Sequence, residues 1–319
     1  MKAAVVSSFD TPPRYADFPV PTPANEHEIL VDVIAAGLHP RVRSQADGSH
    51  YTSTDELPLV PGIDGVGRGT DGRLRYFVLP DTTMGTMAEK TVVDERRSIF
   101  LPAGTDPIKI AAAMNPAMSS WIALRQRVEL RPGQKVLVLG ATGNSGELAV
   151  QIAKRFGATD IVAAGRDAER LARLPSLGAT AVVSLVGDPR DVAKRLGESA
   201  NDVDVVLDYV WGESSAEAIA ALVTHRADRS KPLTWIAIGS VGGAAASIPS
   251  AALRAARLSI VGSGQGSVST RAILEELPAL VETISAGRLE VEASAAPLRD
   301  VESAWIDATR SRRRIVLTP

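Results

Sequence analysis

Residues 135–154 read KVLVLGATGNSGELAVQIAK, and no other stretch restricts the fold so tightly. A short apolar run stops at a glycine-rich turn, and helical spacing begins at once. Such a junction leaves backbone N–H groups unpaired at a helix N-terminus, where the helix dipole reinforces their attraction for an anion. In a dinucleotide-binding fingerprint the glycines fall at 141, 143 and 146 of this register. Here position 141 is alanine and Gly140 stands one place earlier, while Gly143 and Gly146 keep their places. A second strand-like run, DIVAAG (160–165), follows within the span the fingerprint requires. The expected diphosphate contacts are therefore Gly140, Ala141, Thr142, Gly143, Asn144 and Ser145, with Gly146 packing the helix onto the strand.

The pattern around this turn extends the reading. From about 116 to 264, buried strands alternate with amphipathic helices: AVVSL, DVVLDYV and LTWIAIGS continue the series, which predicts an α/β, doubly wound parallel sheet of Rossmann type. The first helix is expected to stop at Gly157 and the second, DAERLARLPSLGA, to break near Pro175. Residues 1–115 read differently. KAAVV, EILVDVIAAG, LRYFVLP and AEKTVV are strand-like runs separated by Pro and Gly, and PVPTP (19–23) reads as a connector. Residues 265–319 hold one helix, TRAILEELPALVETISAG, and a last strand, RRRIVLTP.

The adenosine end of the site separates two cofactors. An NAD site places an acid at the end of the second strand, about 20 residues on, for the ribose 2′-hydroxyl. Gly165 occupies that place, Arg166 follows, and Arg170 lies one turn into the helix. Glycine with arginine suits a 2′-phosphate, so NADP(H) is the expected cofactor. Asp167 has two readings: a displaced ribose acid, or the N-cap of the helix.

Composition excludes much else. The chain has no cysteine, which removes disulfides, thiolate nucleophiles and cysteine-held metals. A formal charge of −2 gives no global field for nucleic acid, and no membrane is expected, since no 18-residue apolar stretch appears. The N-terminal apolar run is too short for a secretory signal, so a cytoplasmic location is expected. The four histidines, His27, His39, His50 and His225, are not spaced as a compact ligand set.

The order of pieces resembles the medium-chain dehydrogenase/reductase superfamily. The likeness is carried by AAGLHP (35–40), PLVPGIDGVG (58–67), the GATGNSG turn, DVVLDYVWG (204–212), IVGSGQG (260–266) and the terminal RRIVLTP. AAGLHP is similar to the family's AAGxNP, with His39 for asparagine, and PGIDGVG is similar to PGxExxG. The resemblance implies a mainly β, GroES-like substrate domain made of 1–115 and 265–319, with the Rossmann domain (116–264) inserted. Gly62-Ile63-Asp64 stands where zinc-dependent members carry Gly-His-Glu, so the zinc-free quinone oxidoreductase and enoyl-reductase branch is the nearest, and no metal is expected.

The branch implies hydride transfer from NADPH to a small-molecule quinone or α,β-unsaturated carbonyl, in a homodimer joined through the Rossmann sheets. Tyr51 falls where that branch has a tyrosine, although the spacing from Arg43-Ser44 differs. Its phenol could hydrogen-bond the acceptor, or simply pack over the cleft. His39 could offer a hydrogen bond or a proton, or be satisfied by backbone; His50 is a weaker candidate. Ser119, in NPAMSSWIAL, takes the place of the threonine that faces the nicotinamide, with an N-cap as the alternative. Asp208 ends a strand at the sheet edge where ligands gather. Gly239-Ser240 and Gly262-Ser263-Gly264 are glycine-rich strand ends that let main chain approach a ligand. The basic run Arg310, Arg312, Arg313 and Arg314 is either a solvated face or a phosphate contact. A cofactor-binding sensor with little turnover is the alternative to an enzyme.

Overall fold

The computed structural model describes residues 1–309 and 313–319, which form two compact units. One comprises Met1–Asn115 with Leu274–Pro319, the other Pro116–Ile273. No helix among the described residues is long and apolar enough to cross a membrane.

The first unit opens with an antiparallel pair, β1 (Lys2–Val5) and β2 (Arg14–Asp17). Then come β3 (Glu28–Leu38), α1 (Pro40–Ala46), β4 (Asp64–Gly69), β5 (Leu74–Val78), β6 (Lys90–Asp94), β7 (Ser98–Phe100) and α2 (Pro107–Ile122). In β3 the alternation shows as buried Val31 and Val33 flanking exposed Asp32. A bulge between Val33 and Ala35 breaks the register with β4, which bends the strand before it delivers His39 to the start of α1. Pro40 fits the first position of α1, where no N–H is needed.

The second unit contains β8 (Lys135–Leu139), α3 (Asn144–Arg155), β9 (Asp160–Gly165), α4 (Ala168–Leu177), β10 (Ala181–Ser184), α5 (Pro189–Ser199), β11 (Val205–Asp208), α6 (Gly212–His225), β12 (Leu233–Ala237), α7 (Ser250–Ala255) and β13 (Leu258–Gly262). These strands form one six-stranded sheet in the order β10-β9-β8-β11-β12-β13, every pair parallel. Leu137, Leu139, Val206 and Trp235 from the sheet pack with Leu196, Ile219 and Leu222 from α5 and α6. Burying each aliphatic side chain of this kind is worth about 1.5–3 kcal/mol. The strand order reverses between β8 and β11, so the ends of those two strands border the crevice where this architecture takes its ligands.

Pro175 departs from the sequence expectation. It does not break its helix; α4 runs through it to Leu177. The proline lies in the last turn, buried Leu174 and Leu177 hold that turn to the core, and Gly178 at φ +124° closes it by donating to the Leu174 carbonyl. Proline still forfeits the bond to the Leu171 carbonyl, and the burial of Leu174 and Leu177 offsets that loss.

The chain returns to the first unit with α8 (Thr270–Ser285), β14 (Ala293–Pro297), α9 (Val301–Asp307) and β15 (Arg314–Thr318). The larger sheet of this unit runs β14-β15-β3-β4-β5-β7, with β6 also paired to β3. Its pairs are antiparallel apart from β14 and β15. Leu59, Val60, Met87, Leu298, Trp305 and Leu317 form much of the core beneath it.

Candidate cofactor and acceptor sites

The turn after β8 has the geometry of an anion cradle. Gly140 takes φ +84°, open to glycine without strain. The amides of Gly140 and Ala141 both donate to the Ala164 carbonyl, at 2.9 and 2.8 Å, which ties the turn to β9. Gly143 precedes α3 in an extended conformation, and the first helical bond runs from the Glu147 amide to the Gly143 carbonyl at 2.9 Å. The amides of Asn144, Ser145 and Gly146 therefore have no intrahelical acceptor and form a row of donors at the positive end of the helix dipole. A Cβ at Gly146 would lie 2.2 Å from the Gly140 carbonyl oxygen, so this glycine serves helix-on-turn packing. A Cβ at Gly143 would meet nothing nearer than 3.4 Å, and its face is open to an approaching ligand. These residues fit a diphosphate.

At the adenosine end, Gly165 closes β9. A Cβ there would sit 2.4 Å from Thr142 Cγ2 and 2.6 Å from its Oγ1. The glycine thus makes room for a threonine of the phosphate turn. Asp167 is the N-cap of α4, its carboxylate accepting from the Arg170 amide at 3.0 Å. Arg166 is exposed, and no described residue pairs with its guanidinium. Arg170 is turned inward: its Nη1 donates to the Thr142 carbonyl at 2.6 Å, and its Nε lies 3.8 Å from Glu147 Oε1.

The loop after β11 is held by a buried carboxylate. Asp208 Oδ1 accepts from the amides of Val210 (2.8 Å) and Trp211 (2.9 Å), and Oδ2 accepts from Trp235 Nε1 (2.8 Å). The side chain is fully buried and serves the loop, not a ligand surface. Trp211 has φ +54° and ψ −166°, a region almost reserved for glycine, so the brace holds a strained peptide. Tyr209 points its hydroxyl at Ser119 Oγ, 2.9 Å away, and that serine donates to the Pro116 carbonyl at 2.7 Å. The phenol is therefore the donor between them. Burial pushes Tyr209 up to about 12, so it stays protonated. Gly239 lets the next strand end approach, since a Cβ there would be 2.7 Å from the Tyr209 carbonyl oxygen. Ser240 is exposed. In the last glycine-rich end, the Gly262 carbonyl accepts from Arg127 Nε at 2.7 Å, the Ser263 amide donates to Ala237, and the Gly264 amide donates to Ser267 Oγ.

In the first unit, His39 is only 2% exposed. Its Nε2 lies 2.9 Å from Asp64 Oδ1, and the Tyr76 hydroxyl donates to Asp64 Oδ2 at 2.9 Å. Burial lowers His39, against the opposing pull of Asp64. A neutral imidazole beside a carboxylate carries its proton on Nε2, which leaves Nδ1 as an acceptor; that atom is buried and has no partner among the described residues. His39 in this state cannot give a proton from Nδ1. Sequence reasoning missed Asp64 and Tyr76 as its partners; the PGID segment was the available signal for the first.

Tyr51 is 73% exposed and stacks on His50, ring centroids 4.2 Å apart. His50 Nδ1 is 2.9 Å from Thr52 Oγ1, and Thr52 donates to Asp81, which is ion-paired with Arg41 at 2.5 Å. Burial, aided by Arg41, lowers His50 to about 4. Arg310 and Arg312 lie outside the described residues. Arg313 is exposed, whereas Arg314 is buried, with Nη1 on the Leu38 carbonyl at 3.4 Å, and is withdrawn from any phosphate. Among the described residues no three His, Asp or Glu side chains are grouped to hold a metal.

Comparison with known proteins adds a full-length match. The chain is 30% identical over 359 aligned residues to a protein of Emericella nidulans named "Probable NADPH-dependent quinone reductase tdiC", covering 100% of both. This chain belongs to the medium-chain dehydrogenase/reductase superfamily, in its quinone oxidoreductase-like branch. Another member, the quinone oxidoreductase of Thermus thermophilus, solved also with NADPH, superposes with a TM-score of 0.81 at 28% identity, covering 100% of each chain. The NADPH-dependent alkenal/one oxidoreductase of Arabidopsis thaliana is 28% identical over 202 residues, 58% of this chain and 50% of that protein. The zinc-binding dehydrogenase family model matches residues 146–285, a span in which no metal-holding trio occurs among the described residues.

Proposed function

We propose that this superfamily member is a zinc-independent, NADPH-dependent reductase of quinones or α,β-unsaturated carbonyls, acting as a homodimer. The observation that carries it is the row of unpaired amides at Asn144, Ser145 and Gly146, together with Gly165 where an NAD enzyme has an acid and an exposed Arg166 next to it. The relatives named for NADPH-dependent quinone and alkenal reduction support the same reading.

The amides would hold the diphosphate and Arg166 the 2′-phosphate. Bound NADPH supplies the hydride. The acceptor gains that hydride and one proton, giving a hydroquinone or a saturated carbonyl. The Tyr51 phenol is the exposed O–H that would orient the acceptor oxygen by hydrogen bonding. His39, with Nε2 on Asp64 and Nδ1 buried, would support the site from beneath and not donate the proton to the acceptor. Ser119, fixed by Tyr209 and Pro116, would line the nicotinamide end.

Stopped-flow oxidation of NADPH against a panel of quinones and enones tests the reading. Turnover that survives chelator, in protein free of stoichiometric metal, is expected. Absence of turnover with every acceptor, despite tight NADPH binding, would favour a sensor.

A further inference from the structure

Arg170 sits one helical turn past the 2′-phosphate position, so the simple expectation gives it to that phosphate together with Arg166. Its surroundings argue otherwise. The side chain is 12% exposed, Nη1 grips the Thr142 carbonyl at 2.6 Å, and the Glu147 carboxylate faces Nε at 3.8 Å. Glu147 belongs to the first turn of α3, the helix that presents the donor row. One guanidinium therefore joins α4 to both limbs of the phosphate turn, and the adjacent carboxylate offsets its charge. A cation so neutralised is a poor partner for a phosphate dianion.

We propose that Arg170 is a positioning residue for the diphosphate cradle, serving NADPH and NADH alike, and that discrimination between them lies with Arg166. The physical argument concerns the Thr142 peptide. An unrestrained carbonyl at this point of the turn could rotate toward the ligand and set an oxygen against the diphosphate. The Arg170 bond draws that oxygen toward α4, and Thr142 is further wedged by its side chain in the space above Gly165. The turn is thereby preorganised before any ligand arrives, which avoids an ordering cost at binding.

The proposal rests on the cofactor reading above, and titration of NADPH and NADH into the unaltered protein tests that reading separately. For Arg170→Ala, both dissociation constants should rise by a similar factor, about tenfold or more, as for loss of a charge-assisted hydrogen bond. Arg170→Lys should recover part of the loss for both, because a lysine can still reach one carbonyl. Arg166→Ala should raise the NADPH constant by about tenfold or more and leave NADH nearly unchanged. Thermal melts of the cofactor-free variants identify any that fail to fold, in which case Arg170→Lys carries the test. A loss confined to NADPH in the Arg170 variants would make that residue a 2′-phosphate ligand and overturn the proposal. So would unchanged affinity for both cofactors.

Discussion

At the scale of single residues, Gly165 shows how one position serves two purposes. Its missing side chain removes the ribose acid of an NAD site, and it also admits Thr142. A designer wishing to turn the enzyme toward NADH would place an acid here. The structure predicts failure: a Cβ would meet Thr142 Cγ2 at 2.4 Å, and the threonine belongs to the diphosphate turn. Gly165→Asp should weaken NADPH and NADH together, read by fluorescence titration; a clean gain of NADH affinity would refute this. His50 supplies a second prediction. Its folded value of about 4 lies below the ordinary value near 6.5. The folded state therefore binds fewer protons than the unfolded chain between these values. The stabilisation from a neutral His50 is complete above about pH 6.5 and declines as pH falls toward 4. His39 is shifted in the same direction. The melting temperature should fall over that acid range, and His50→Gln should flatten the fall. Parallel curves for the two proteins would remove His50 from the account.

At the scale of elements, the loop between β11 and α6 depends on Asp208. Removing its carboxylate leaves the Val210 amide, the Trp211 amide and the Trp235 indole N–H without their acceptor, while Trp211 stays strained. Asp208→Ala should cost about 2–4 kcal/mol in urea unfolding, since each buried donor left unsatisfied carries a penalty; a loss below about 1 kcal/mol would show that water replaces the carboxylate. This brace also marks how far the sequence could be read. The strands at 135–139, 160–165 and 205–208, and the turn at 140–143, were legible because periodicity and glycine placement are local signals. Arg166 and the capping role of Asp167 were also within reach of local spacing. The partners of Asp208 were not: Trp235 lies a strand and a helix away, and only the parallel register of β11 with β12 brings it close. The same holds for His39, whose partners Asp64 and Tyr76 come from β4 and β5. Pro175 misled for a related reason, because burial of Leu174 and Leu177 overrides a local helix-breaking preference.

At the scale of the whole molecule, the six-stranded sheet is open at both ends. Its β13 edge is paired as a strand on one side only, to β12, although the Gly262 carbonyl at its end accepts from Arg127. The helix α7 packs against β13 and leaves Leu253 47% exposed. Open edges of this kind are covered, charged or paired in stable proteins, and β13 itself carries no lysine, arginine or proline between Leu258 and Gly262. A twofold axis would set two copies of β13 antiparallel and extend each parallel sheet into the other through an interface that uses the same patch twice. Light scattering after size exclusion should therefore read twice the 33.5 kDa of one chain. Val261→Lys, which puts a charge on the edge strand, should shift the protein toward one chain while the isolated fold still melts cooperatively. A wild-type mass of one chain removes the dimer; a dimer indifferent to Val261→Lys moves the interface away from this edge.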